Sequence, residues 1–342
     1  SHTGCFINDN KTKIKNIMNH HSFSSSLFSG LWRTLGAHDH RALPHSNAYK
    51  GVALIIKILF AGLFVFTGAV SAQKSHKNTY KNASQHELSL TGGGGIGTLR
   101  YNPAAGSRHA GAGGNVGLGY AYFFTPQWGV STGIGAAFYN SSAKIAAFDG
   151  SYLINTPAGL PDDSEFTLSY RYEGFKEKQK AAYLQIPVMA EYRTTGANIF
   201  YASAGVKIGV PLKARYATTL ASYTTKGFSD YTGLDYENMP THGFSTYKNE
   251  ATSGSLKTRV AIFGALETGM KWQLADRWAL YTGVYLDYGF NNIRKNDSAE
   301  RLLQYNEASP TDYGYHSLIE TDKVSKMNLW SVGIKVRVAM GL

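Results

Sequence analysis

The chain has 342 residues, among them 37 Gly, 23 Tyr and 17 Phe, and a single Cys. One Cys excludes an intramolecular disulfide framework and any zinc module built on cysteines. The formal charge of +11 is dispersed without a Lys/Arg run, so no footprint for nucleic acid is present, and 17% charged residues is low against the ~25% of soluble domains.

Residues 1–49 show no periodic pattern and read as a non-structural upstream segment. Residues 50–72 read as an export signal peptide. Lys50 and Lys57 flank an apolar run from Ile58 to Val70, and Val70, Ser71 and Ala72 form a small-residue cleavage site before Gln73. An uncleaved inner-membrane helix over 52–72 is the alternative. Residues 73–85 follow as a short periplasmic segment, and 86–342 as the folded domain.

From residue 86 the repeating signal is alternation. Eight strands are expected, near 86–100, 113–124, 129–140, 180–193, 198–213, 257–274, 278–290 and the terminal stretch through Met340. In 278–290 the even positions (Trp278, Leu280, Val284, Leu286, Phe290) are mostly apolar, and the odd ones include Gly283, Asp287 and Gly289. The terminal strand repeats this, with Val332, Ile334, Val336 and Val338 set against Ser331, Gly333, Lys335 and Arg337.

Tight connections at Thr125–Trp128, Thr194–Ala197 and Ala275–Arg277 alternate with long ones at 101–112, 141–179, 214–256 and 291–326. All tight turns therefore fall at one end. The pattern predicts an all-β fold: an eight-stranded antiparallel transmembrane β-barrel with three short periplasmic turns and four longer extracellular loops, in the cell outer membrane. Trp128, Tyr192, Trp272 and Trp278 at the tight-turn end, with Trp330 at the other, are the expected membrane-interface aromatics. Outer-membrane lipid and the barrel-assembly and export machinery are the partners this implies.

The run Ala182–Arg193 (AYLQIPVMAEYR), a short turn, and Phe200–Gly209 (FYASAGVKIG) resemble the outer-membrane β-barrel domain family that includes PorT-like proteins and small barrels of the OmpA/OmpX type. That family has a "YLEIP" strand followed by a Ser/Gly-rich strand; here Gln185 stands at the acidic position. The resemblance implies an eight-stranded outer-membrane barrel without established catalytic residues.

Gly92, Gly94 and Gly97 spell a dinucleotide fingerprint, but Thr98–Pro103 cannot open the helix it requires, so no cofactor is expected. For an outer-membrane enzyme, a lipid A acyl-transfer or deacylation barrel or a protease, the candidates are His109, His242, the adjacent His316 and Ser317, and Asp162 and Asp163. No metal-ligand spacing is present, and no enzyme is the favoured reading.

Parity turns Glu87, Glu191, Glu267 and Asp287 inward, together with Arg193, Lys207, Lys271, Lys335 and Arg337. Lys207, Glu267, Asp287 and Lys335 are expected to form a mid-barrel charge cluster, with Asp287 and Lys335 meeting. Glu87 and Arg337 are expected to pair where the last strand closes on the first. Eight strands enclose only enough space for side chains, which favours a lumen closed by salt bridges over a small gated pore. The long loops carry Tyr216, Tyr223, Tyr231, Tyr305 and Tyr313, rings that either contact an extracellular ligand or order the rim. The function this supports is a non-enzymatic outer-membrane β-barrel protein with a structural or surface-interaction role.

Overall fold

The computed structural model describes residues 84–155, 157, 165–295, 301–306 and 308–342. The upstream segment, the expected signal peptide and all of 73–85 except Ser84 and Gln85 lie outside the described residues, as do Asp162 and Asp163. Thirteen strands are present among them. In chain order they are β1 (His86–Tyr101), β2 (Ser107–Ala110), β3 (Ala112–Phe123), β4 (Trp128–Asn155), β5 (Glu165–Arg193), β6 (Ile199–Ser229) and β7 (Leu234–Tyr236). There follow β8 (Thr246–Ser255), β9 (Ala261–Gln273), β10 (Trp278–Gly289), β11 (Leu303–Gln304), β12 (Gly314–Tyr315) and β13 (Met327–Gly341).

Eight of these close into a ring in the order β1, β3, β4, β5, β6, β9, β10, β13, every pair antiparallel. The last strand returns to the first along their whole length, from Glu87 opposite Gly341 to Tyr101 opposite Met327. Closure matters because a sheet edge with unpaired N–H and C=O groups invites pairing with other chains, and a ring of this kind has none.

The lower part of the barrel, next to the tight turns, is inverted relative to a soluble protein. Leu90, Leu118, Leu266 and Ile334 point outward, 61, 63, 55 and 66% exposed. Glu87, Glu191, Lys207, Glu267 and Arg337 are buried inside. An apolar band encircling a charged interior is stable only where the outer surroundings are themselves apolar.

The upper part reverses this, and here the structure departs from the sequence expectation. The stretches 141–179 and 214–256, expected as loops, are largely strand. β4, β5 and β6 run 28, 29 and 31 residues, far beyond the ~10 needed to cross a membrane. Two irregularities hide this from a parity count. Gly174 sits at φ +64 in β5 with a position for Cβ only 2.7 Å from Ala221 Cβ, a conformation and a space that suit glycine. Across it the inward set changes from Phe175, Glu177 and Gln179 to Phe166, Leu168 and Tyr172. A register shift between Ala182 and Tyr183 accompanies a second change, in β6, from Tyr201, Ser203 and Lys207 to Ala214, Tyr216 and Thr218.

In this upper tier Tyr, Phe and Leu face inward and Ser, Thr and Lys face out. β2 extends the wall beside β4, and β7 and β8 extend it beside β6. The described residues of 301–326 fold inside the wall. Tyr152 Oη donates to Leu303 O at 3.0 Å, Tyr216 Oη to Tyr315 O at 2.9 Å and Tyr305 Oη to His242 O at 3.2 Å. Leu302, Leu318, Ile319 and Val324 from this segment join Phe166, Phe244 and Tyr172 in one buried core. Of the loop tyrosines, Tyr216, Tyr223, Tyr305 and Tyr313 are buried and order the rim, whereas Tyr231 is 76% exposed.

This core has a pH signature. Burial raises Tyr216 from the usual 10.0 to about 12, and it holds Tyr223 and Tyr313 well above their ordinary value. These phenols stay neutral in the folded tier while unfolded ones ionise near ~10. Above that pH the unfolded state binds fewer protons, so stability falls as pH rises. The contribution is complete below pH 10 and is lost as pH passes through the window to about 12. Tyrosinate absorbance should therefore appear in step with protease cutting within 301–326. Ionisation of these rings with the segment still protected would contradict it.

Candidate functional site

The charged lumen has two unlike walls. Ser89 and Thr91 of β1, Gly117 and Gly119 of β3 and Ser131 and Gly135 of β4 present small groups to it. The facing wall presents Lys207, Glu267, Lys335 and Arg337. Small residues on one side leave room for long ones reaching across. What remains between them is a cavity of about 80 Å³, room for a few waters at ~10–15 Å³ each.

The charges are ordered in layers. Nearest the tight turns, Glu87 Oε1 accepts from Arg193 Nη1 and from Lys271 Nζ, both at 2.7 Å, and its Oε2 accepts from Tyr281 Oη at 2.6 Å. Arg193 lies over the Phe123 ring at 3.5 Å and donates to Pro126 O, tying the network to the first tight turn. Glu191, fully buried, accepts from Arg337 Nη2 on Oε1 at 2.7 Å and from Arg337 Nη1 on Oε2 at 2.8 Å. Arg337 stacks on the Tyr281 ring at 3.8 Å.

Further in, Glu267 Oε1 accepts from Lys335 at 2.5 Å and from Lys207 at 3.4 Å. Lys207 also lies 2.8 Å from Asp287 Oδ1, an ion-pair contact without hydrogen-bond alignment. Above this layer Gln185 donates to Tyr139 Oη at 2.9 Å. At the level where the upper tier begins, Glu177 accepts from Ser317 Oγ at 2.7 Å, Leu318 N at 2.9 Å, Gln179 at 2.7 Å and Thr218 at 3.0 Å. Burial pushes its carboxyl above the ordinary value, with these four hydrogen bonds opposing the shift.

The structure thus brings Lys207, Glu267, Asp287 and Lys335 together, with Lys207 and not Lys335 contacting Asp287. It does not bring Glu87 to Arg337. Both face inward, but Glu87 is opposite Gly341 and Arg337 is opposite Thr91, four residues apart along the seam. Glu87 binds Arg193 and Lys271, and Arg337 binds Glu191. Parity gives the facing direction of a side chain, whereas its height across the lumen depends on strand tilt and stagger. The sequence reading missed Glu177 altogether. Its odd parity is continuous with Gln179, Tyr183 and Gln185, but it falls in 141–179, which the connection lengths predict to be a loop.

Trp128 and Trp278 face outward at 49 and 47% exposure, and Tyr192 packs on Trp128 at 4.9 Å between ring centres. Trp272 donates to Thr282 at 2.9 Å. Trp330, at the other edge of the apolar band, lies opposite Tyr288 and Thr98.

The described candidates for an outer-membrane enzyme make local contacts. Ser317 donates to Glu177 and accepts from Ile319 N. His109 contacts Ser107 at 3.2 Å on an exposed strand, and His242 contacts Thr241 at 3.1 Å. Gly92, Gly94 and Gly97 lie within β1 itself. Among the described residues no group of three His, Cys, Asp or Glu is placed to hold a metal.

Residues 71–295 match the outer membrane protein beta-barrel domain family, to which the chain therefore belongs, and its location is the outer membrane. Solved structures similar to it include three small outer-membrane proteins. Neisserial surface protein A is 10% identical over 77% of this chain and 100% of its own, with a TM-score of 0.31. Ail of Yersinia pestis, in complex with the heparin analogue sucrose octasulfate, is 11% identical over 74 and 99%, with a TM-score of 0.26. OprG of Pseudomonas aeruginosa is 14% identical over 75 and 96%, with a TM-score of 0.29. None of the curated proteins matches the chain in sequence.

Proposed function

We propose that this outer-membrane protein is a non-enzymatic, non-conducting barrel that carries a rigid extracellular tier as a surface for interaction. One observation carries the reading: obstruction occurs at successive levels of one axis. The Glu87 and Glu191 pairs lie at the periplasmic end, and the Lys207, Glu267, Asp287 and Lys335 cluster lies above them. Gln185 and Tyr139 come next, and the 301–326 segment is anchored on Glu177 at the top.

The interaction half of the proposal rests on height. A barrel whose only task is to occupy the membrane has no use for strands three times longer than the ~10 residues that span it. Because most of the loop tyrosines are buried in the tier, the surface on offer is its polar outer wall and rim.

The full chain in a planar bilayer should show no steady ion conductance at moderate voltage. Steady single-channel currents in the wild-type protein would overturn the closed lumen and favour a pore.

A further inference from the structure

The outer wall of the barrel carries a feature that neither the lumen nor the apolar band explains. Directly above the band, on its extracellular side, six exposed cations share one face: Lys144 on β4, Lys176, Lys178 and Lys180 on β5, and Lys213 and Arg215 on β6. They begin where the apolar residues stop, two residues beyond Ala182 on β5 and immediately after Leu212 on β6. Two pairs are placed directly across from one another: Lys144 faces Lys176, and Lys180 faces Arg215.

Like charges opposite each other in an antiparallel sheet destabilise it, so this wall gains from an external counter-charge. Among the described residues no ion pair to these six cations is present. The outward acids further along the same strands, Asp149 and Glu173, are already bound to Arg171 at 3.0 and 3.2 Å. The periplasmic edge of the band has no comparable row: the three tight turns, 124–127, 194–198 and 274–277, contain one base, Arg277, and one acid, Asp276. The cations are thus confined to one edge of the lipid-facing surface.

We infer that this row is a docking surface for the phosphate groups of outer-leaflet lipid, holding phosphorylated headgroups against the barrel wall. Three features select a lipid. The row is continuous with a surface already in contact with acyl chains, so one molecule can engage both. Successive cations on β5 stand ~7 Å apart along the strand, a spacing that suits several phosphates on neighbouring lipids. A compact ammonium pairs with phosphate as a point charge and needs no preformed pocket. An acidic polysaccharide would match the charge but would make no use of the apolar band below.

The full chain, folded in phosphatidylcholine nanodiscs, can be titrated with lipid A and with the same lipid stripped of its phosphates. Retained lipid is counted by native mass spectrometry. The wild type should retain lipid A, and rising salt should weaken retention. K176Q/K178Q/K180Q should weaken it on the order of 100-fold, since each cation near an anionic surface contributes comparably. These side chains are exposed, so folding is preserved; an unchanged heat-modified gel shift checks this. K226Q, which removes an exposed lysine paired with Glu237, should bind as the wild type does. Equal retention by the wild type and the triple variant, or of lipid A and its dephosphorylated form, would overturn the inference. So would preference for soluble heparin over lipid A, which would assign the row to an acidic glycan. Each outcome is independent of the conductance measurement, because the row lies outside the lumen.

Discussion

Replacing Glu191 with Ala should destabilise the folded barrel by about 3–5 kcal/mol, the cost of leaving a buried charge without its partner. Glu191 is fully buried, and both of its oxygens are occupied by Arg337. Without it the guanidinium retains the Tyr281 ring face at 3.8 Å and Tyr201 at 5.2 Å, contacts worth ~2 kcal/mol when desolvated. They do not replace two charge-assisted hydrogen bonds. Removing both charges with shape retained, as in Glu191→Leu with Arg337→Met, should recover much of the loss, because the desolvation cost of the pair disappears with it. Urea titration of folding into lipid vesicles measures each variant. Losses that simply add across the cycle would show that the two residues do not act as a pair.

Ile334→Arg should cost about 2–4 kcal/mol, the penalty for a cation on the lipid face near mid-membrane. Ile334 is 66% exposed and sits between Val284 on β10 and Gly94 on β1, well below the cationic row. Leu118→Arg, at 63% exposure on β3, should behave alike. Gly92→Ala provides the tolerant comparison, since a methyl group there meets nothing within 4 Å. Gly283 does not serve that purpose: a Cβ at this inward position would lie 2.2 Å from Thr268 O and 2.7 Å from Tyr201 Oη. The smaller change at Gly283 should therefore damage folding where the change at Gly92 does not. If Ile334→Arg folded as readily as Gly92→Ala in the same titration, this face would not be in lipid.

The residues of 278–290 and 330–340 determine by themselves which side of the barrel wall is which. Alternation is a property of a single strand, and two environments as different as acyl chains and a charged lumen select opposite residue types at every second position. The short connections likewise determine which strands are neighbours, because a turn of four or five residues can only join antiparallel neighbours. Tertiary structure decides what parity leaves open. Glu87 finds Arg193 and Lys271 because tilt and stagger, not sequence distance, set which inward side chains share a level. The upper tier escapes a reading by period because the irregularities at Gly174 and beside Ala182 each move the inward set by one residue. Its interior also reverses the polarity of the membrane part, so apolar residues change faces along one strand. The seating of the 301–326 segment is settled only by contacts between residues remote in the chain, Tyr152 with Leu303 and Glu177 with Ser317. Such contacts join residues that only the closed ring brings to one end of the barrel.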